Sequence, residues 1–117
     1  MTPKLHKGLT MEKWHALPLE KRILNIASEL GRAKKWAEEN RPSLAGSSIE
    51  RALELIDLTV EAGVKEGRFS LSRELLRLRE ALAACYLDTQ KNHTDFRSLM
   101  KTLLTLDAPS YNLGLEI

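Results

Sequence analysis

Apolar residues recur three and four positions apart along most of this 117-residue chain, and that spacing favours amphipathic helices. Leucine occurs 22 times and alanine 11 times, whereas isoleucine occurs 5 times and valine twice. Because leucine and alanine form helices readily and β-branched residues favour strands, we expect an all-α protein. A chain of this length suits one compact domain, so we assign residues 1–117 to a single helical-bundle domain.

Prolines, glycines and capping residues divide the chain into four long helices after a short N-terminal helical turn. Because short loops join these helices, we predict an antiparallel up-down four-helix bundle. The predicted helices are about 19–40, 48–62, 71–88 and 95–106, followed by an irregular tail over 107–117. The residues that set these boundaries are Pro18, Ser47 with Glu50, Gly63, Ser70 or Ser72, and Thr94.

The second and third long helices carry more apolar surface than a helix of a small bundle obviously needs. On the second helix the apolar arc covers more than half of the circumference, so this helix is either central to its own bundle or buried by a second subunit. We predict a homodimer that forms through these two helices. The residues concerned are Leu55, Leu58 and Ala62 on the second helix and Leu76, Ala83 and Leu87 on the third.

Charged side chains lie beside the apolar faces. Glu29, Arg32 and Trp36 share one flank of the first long helix with Arg22, and this flank is either solvated or a contact surface for a protein. Arg79 projects between two apolar seams of the third helix. Since a lone buried charge is costly, we expect Arg79 to form a salt bridge with a carboxylate of the second helix or with Glu29.

Four carboxylates form an acidic row on the second helix: Glu50, Glu54, Asp57 and Glu61. We interpret this row as a solvated face or as the partner of a basic surface, and we expect another group to compensate its repulsion. The remaining candidate interaction or ion-pair residues are Arg77 and Glu80 on the third helix.

No constellation for catalysis, metal binding or cofactor binding is present in the sequence. None of the three histidines, His6, His15 and His93, completes the Glu-x-x-His pattern of a di-iron bundle, and Cys85 is the single cysteine. No glycine-rich phosphate loop occurs. The sequence contains no apolar run long enough to cross a bilayer and no signal-peptide pattern, so we expect a cytoplasmic protein with no membrane contact.

The charge distribution does not favour nucleic-acid binding. The net charge is +2, and the first 41 residues carry nine basic and five acidic side chains. Acidic residues alternate with the basic ones there, and aromatic residues do not interleave with them as a stacking surface requires.

Three segments of the chain are familiar: residues 26–36, 50–59 and 73–80. They resemble the S-E-x-x-R-A, E-R-A-L-E-L-x-D-L-T and L-x-R-L-R-E segments of a group of small, uncharacterised prokaryotic helical proteins, which implies no known activity. The bundle is also similar, at the level of the fold, to the helical partners of small nucleotidyltransferases and to HEPN domains. The ribonucleases among HEPN domains use an arginine shortly before a histidine, and no arginine has that spacing here.

From these observations we predict a non-catalytic helical module that binds another protein through the flank of Glu29, Arg32 and Trp36 or through the acidic row. The alternative is an accessory or substrate-binding subunit of a nucleotide-handling enzyme, in which Arg32, Arg77 and Arg79 would contact phosphate.

Overall fold

The computed structural model describes residues 9–87 and 93–106, with side chains for 9–86 and 96–106. In this part of the chain all regular structure is helical, which confirms the predicted all-α bundle. The predicted irregular tail over 107–117 lies outside the described residues. The five helices are α1 (Met11–Ala16), α2 (Leu19–Glu38), α3 (Pro42–Lys65), α4 (Phe69–Leu87) and α5 (His93–Thr105).

Helix α3 lies at the centre of the bundle, where it packs against α1, α2 and α4, while α5 packs mainly against α2. Arg22 of α2 contacts Glu66 just beyond the end of α3, whereas Glu29 contacts Arg51 nearer its start, so α2 and α3 are antiparallel. Contacts between α3 and α4 likewise run in opposite directions along the two helices.

The central position of α3 explains its wide apolar arc. Leu55, Leu58 and Ala62 are all buried within the single chain. Of the two alternatives for this helix, the structure shows the first, because neighbouring helices of the same chain cover these residues. The arc of α3 is therefore no evidence for a second subunit.

Helix α2 ends at Glu38, two residues before the predicted end. Asn40 adopts a left-handed conformation, with φ of 57°, and the Arg41 N–H donates to the Trp36 carbonyl at 2.8 Å. This arrangement is a Schellman motif, in which asparagine is tolerated at the left-handed position. Pro42 then begins α3 directly, since the fixed φ of proline suits the first turn of a helix.

The predicted start of the second long helix at residue 48 is therefore wrong. Ser47 is inside α3 and does not cap it, because its hydroxyl donates to the Ser43 carbonyl at 3.2 Å. Ala45 and Gly46 are buried, and a Cβ on Gly46 would lie 3.6 Å from the Tyr86 ring. This first turn of α3 therefore packs against α4, which explains why the helix extends back to Pro42.

The predicted end of this helix at Gly63 is also wrong, because α3 continues to Lys65. The left-handed residue of this connection is Gly67, with φ of 75°, and the Arg68 N–H donates to the Gly63 carbonyl at 2.7 Å. Gly63 instead permits a close approach, since a Cβ there would lie 2.5 Å from Ser72 Oγ.

The predicted caps of the last two long helices are wrong as well. Helix α4 begins at Phe69, and Ser72 lies inside it with its hydroxyl donating to the Val60 carbonyl of α3 at 3.3 Å. Helix α5 begins at His93, so Thr94 is already helical. Thr94 lies in a first turn, where backbone N–H groups lack an intrahelical acceptor, whereas the Ser72 N–H donates to the Arg68 carbonyl at 3.0 Å.

The predicted N-terminal turn is present as α1. Thr10 caps it by accepting the Lys13 N–H at 3.1 Å. Trp14 is 2% exposed, and its indole N–H donates to the Thr59 hydroxyl of α3 at 3.0 Å. A helix of six residues is not stable alone in water, so α1 depends on this contact. Within the described residues, no helix is long and apolar enough to span a membrane.

We expect Gly63→Ala and Gly31→Ala to change stability in opposite directions. A Cβ at Gly63 clashes with Ser72 Oγ, so the free energy of unfolding should fall by about 1–2 kcal/mol. A Cβ at Gly31 meets only Met100 Cε at 3.9 Å, so the higher helix propensity of alanine should raise it by about 0.5–1 kcal/mol. Urea unfolding measures both changes, and Ser72→Ala should rescue Gly63→Ala. Equal effects of the two substitutions would contradict the close approach.

Candidate functional site

The most enclosed charged cluster surrounds Arg22, whose side chain is 3% exposed. Its Nη1 and Nη2 donate to the two carboxylate oxygens of Glu66 at 3.0 and 2.9 Å. The remaining contacts are from Nε to the Leu17 carbonyl at 2.9 Å and from Nη2 to the His15 carbonyl at 2.8 Å. Arg68 also lies 3.3 Å from Glu66, so this carboxylate faces two guanidinium groups.

This cluster stabilises the fold. The hydrogen bond from Arg22 lowers the pKa of Glu66 below its ordinary value, although partial burial acts in the opposite direction. The sequence places Arg22 on the flank of the first long helix and leaves Glu66 between two predicted helices. No local sequence pattern indicates that these two residues, which are 44 positions apart, form a pair.

The interpretation of Glu29 as part of a solvated flank is wrong, because α3 covers it and leaves it 6% exposed. Its two oxygens accept from Arg32 Nη1 at 2.8 Å and from Arg51 Nε at 3.1 Å. Arg51 also donates from Nη2 to the Ser48 hydroxyl at 3.1 Å. Glu29 therefore joins α2 to α3, and Arg32 is the most exposed of these residues.

Trp36, the third residue of the predicted flank, is partly buried at the C-terminal end of α2. Lys35 Nζ lies 5.7 Å from its ring centroid, and the Arg41 guanidinium carbon lies 5.9 Å away. Both distances permit cation–π attraction. The indole therefore contacts cations of its own chain.

The ion pair expected for Arg79 is present. Arg79 Nε donates to Asp57 Oδ1 at 2.6 Å and Nη2 donates to Oδ2 at 3.3 Å, which joins α4 to α3. The hydrogen bond to Asp57 raises the pKa of the Arg79 guanidinium above its ordinary value. The side chain is partly exposed and not enclosed between apolar seams.

The rest of the acidic row is also compensated within the chain. The Tyr86 hydroxyl donates to Glu50, which raises the pKa of that hydroxyl, and Lys65 Nζ lies 3.9 Å from Glu61. Glu54 is partly buried and also has a polar interaction. Asp57 and Glu50 therefore join α3 to α4, whereas Glu61 pairs within α3.

The three arginines named for phosphate binding do not share one site. Arg32 pairs with Glu29 on α2, Arg79 pairs with Asp57 on α3, and Arg77 Nη1 donates to Glu74 Oε1 within α4 at 2.8 Å. Each guanidinium therefore already binds a carboxylate on a different part of the bundle.

One open surface, which we call the outer α4 face, carries exposed apolar side chains in the same row as charged side chains. Phe69 is 63% exposed and Leu76 is 51% exposed. Arg73 and Glu80 are exposed along the same stripe, and neither forms an ion pair within the part of the chain that the structure describes. The outer α4 face consists of Phe69, Arg73, Leu76, Glu80 and Ala84.

The predicted dimer contact on this helix also includes Ala83 and Leu87. Ala83 is partly buried, and the side chain of Leu87 lies outside the described residues. Among the side chains that the structure describes, no three His, Cys, Asp or Glu residues are close enough to hold a metal ion.

No protein-family model, curated protein or solved structure matches this chain. The resemblances to small prokaryotic helical proteins and to HEPN-like bundles therefore stay predictions from the three sequence segments.

We expect Glu66→Gln to lower stability and to flatten its acid dependence. At neutral pH the change leaves Arg22 buried without its counter-charge, which should cost about 3 kcal/mol. Because folding lowers the pKa of Glu66, its contribution is complete above the unfolded pKa of about 4.3 and is lost as pH falls through the folded pKa. Chemical unfolding from pH 7 to pH 3 measures this dependence. Glu61→Gln is the matched control, and an unchanged acid profile in Glu66→Gln would contradict the assignment.

The two arginines that bind Glu29 should differ in their contributions. Arg51→Gln removes a contact between α2 and α3, so the free energy of unfolding should fall by about 1–2 kcal/mol. Arg32→Gln removes an exposed pair within one helix and should cost less than about 0.5 kcal/mol. Thermal and urea unfolding compare the two variants, and equal losses would show that Glu29 does not join the helices.

Proposed function

We propose that this protein is a non-catalytic helical interaction module whose partner is a second copy of the same chain, bound through the outer α4 face. The observation that carries the proposal is the exposure of Phe69 and Leu76, seven residues apart on one side of α4. Aromatic and large aliphatic side chains exposed in line are typical of binding surfaces, since burying them against a partner is favourable.

The charges on this face support a symmetric partner. In an isologous dimer the same patch meets itself, so each contact occurs twice. A twofold axis that crosses α4 between Leu76 and Arg77 would pair Arg73 with the partner's Glu80 and Phe69 with the partner's Ala84. Both charges of this pair lack an ion-pair partner in the described part of the single chain. Small Ala84 leaves room for the Phe69 ring.

The sequence predicts a dimer that forms through the second and third long helices, whereas this proposal places the contact surface on α4 alone. The apolar arc of α3 is used within the chain, whereas α4 exposes Phe69 and Leu76 on one side. The flank of Trp36 and the acidic row are less favoured as contact surfaces, because Glu29, Asp57 and Glu61 bind cations of the same chain. A nucleotide-handling role is also not favoured, because Arg32, Arg77 and Arg79 are paired with carboxylates.

The cytoplasmic location expected from the sequence is part of the proposal. Its support is the single cysteine, which allows no disulfide within the chain.

Light scattering coupled to size-exclusion chromatography at micromolar concentrations tests the dimer. We expect the wild-type protein to have twice the mass of one chain. Leu76→Glu should give a folded monomer, because it buries a carboxylate at the centre of the interface. Arg73→Glu should weaken the dimer about tenfold, since it places two carboxylates opposite each other, and Arg73→Glu combined with Glu80→Arg should restore it.

Control variants on other helices distinguish an effect specific to the outer α4 face from a general effect of changing the charge. Leu44→Glu changes an exposed leucine on α3, and Lys21→Glu reverses an exposed charge on α2. Both variants should keep the wild-type mass. A wild-type monomer, or failure of the charge swap to restore what Arg73→Glu loses, would reject the symmetric dimer.

A further inference from the structure

A groove of about 390 Å³ lies between α2 and α5, on a part of the surface that the proposed dimer does not use. Helix α2 contributes Gly31 and Lys34 to its lining, and α5 contributes the rest. The residues from α5 are Arg97, Met100, Lys101 and Leu104.

The groove has an apolar floor and a cationic rim. Met100 and Leu104 are partly buried and pack against the hydrophobic core, so they form the floor together with Gly31. Arg97 and Lys101 are exposed one turn apart on α5, and among the described residues no carboxylate lines the groove. Within the described part of the chain neither of these two cations forms an ion pair, unlike most arginines of the bundle.

Gly31 leaves the floor of the groove open, although the packing around α2 does not require a glycine at this position. It lies in the middle of α2, where glycine costs about 1 kcal/mol relative to alanine. A Cβ at this position would make only an ordinary contact of 3.9 Å with Met100 Cε. The facing Met100 is unbranched and can adjust its conformation to an apolar guest.

We propose that this groove binds a single-chain anionic amphiphile of the fatty-acid class. The acyl chain lies on Gly31, Met100 and Leu104, and the carboxylate is bound by Arg97 and Lys101. An arginine can bind a carboxylate through two parallel hydrogen bonds. Exposed charge pairs alone contribute little, so binding requires the acyl chain as well as the charge. Lys34, which lies 2.7 Å from Glu38, stays paired at the edge of the groove.

Isothermal titration with three small probes tests both parts of this site. Decanoate, kept below its micelle concentration, carries an acyl chain and a carboxylate, whereas decanol lacks the charge and acetate lacks the chain. We expect decanoate to bind with a stoichiometry of one per chain and decanol to bind at least about tenfold more weakly. Acetate should give no measurable binding at the same concentration.

Two variants change the rim and the floor separately. Arg97→Gln combined with Lys101→Gln should weaken decanoate binding about tenfold or more and leave decanol binding unchanged. Gly31→Leu should fill the floor and abolish binding of both long-chain probes, while circular dichroism shows an intact helical fold. Lys21→Gln combined with Arg77→Gln is the matched control, because it removes two exposed cations elsewhere and should bind decanoate as the wild type does.

Several outcomes would overturn the proposal. Decanoate binding that is absent, that has many sites, or that is equal in the wild type and in both groove variants excludes a fatty-acid site here. Binding of an acidic amphipathic peptide to the groove, with no binding of decanoate, would assign it to a protein partner instead. The titrations are repeated with the Leu76→Glu protein, which tests decanoate binding independently of the proposed dimer. The two proposals can then fail separately, because the groove contains no residue of the outer α4 face.

Discussion

The buried guanidinium of Arg22 constrains two connections of the bundle at once. It binds the carbonyls of His15 and Leu17 between α1 and α2, and it binds the carboxylate of Glu66 between α3 and α4. A buried arginine costs several kcal/mol of hydration unless its N–H groups and charge are compensated. Alternative packings of the helix ends that separate these groups are therefore unfavourable. The interaction thus fixes the relative positions of the helix ends around which the hydrophobic core packs.

The two connections around α3 have the same local design. Each is three residues long, and each follows the order glutamate, left-handed residue, arginine: Glu39-Asn40-Arg41 and Glu66-Gly67-Arg68. In both, the arginine N–H bonds to a carbonyl five residues earlier and ends the preceding helix. Such short, rigid reversals hold α2, α3 and α4 as antiparallel neighbours without long loops.

Helical periodicity is a local property, so the sequence was sufficient to predict the number and approximate extent of the long helices. The ends of the helices were less predictable, because more than one residue could begin or end a helix and only the packing of the helices decides between them. The Ser47 pattern resembles a cap, yet burial of Ala45 and Gly46 against α4 extends α3 back to Pro42. Gly63 resembles a helix end, yet it provides space for Ser72.

For the charged residues, the pairing of Arg79 with the second long helix was predictable because an arginine beside apolar positions of its own helix favours a carboxylate nearby. The pairs of Arg22 and Arg51 were not predictable, since the register between α2 and α3, which brings Glu66 and Glu29 to them, is set by the core. Within the described residues Arg73 and Glu80 on α4 and Arg97 and Lys101 on α5 form no ion pair, and the two proposed binding surfaces contain these four charges.

The two tryptophans have different surroundings. Trp14 is enclosed and bonded to Thr59, whereas Trp36 is partly exposed beside Lys35 and Arg41. The Arg22 bond to the His15 carbonyl and the apolar contacts of Met11 also hold α1, but because this helix has only six residues it can detach at a lower free-energy cost than global unfolding. The intrinsic fluorescence of the chain thus distinguishes local opening, in which only Trp14 becomes hydrated, from loss of the whole bundle.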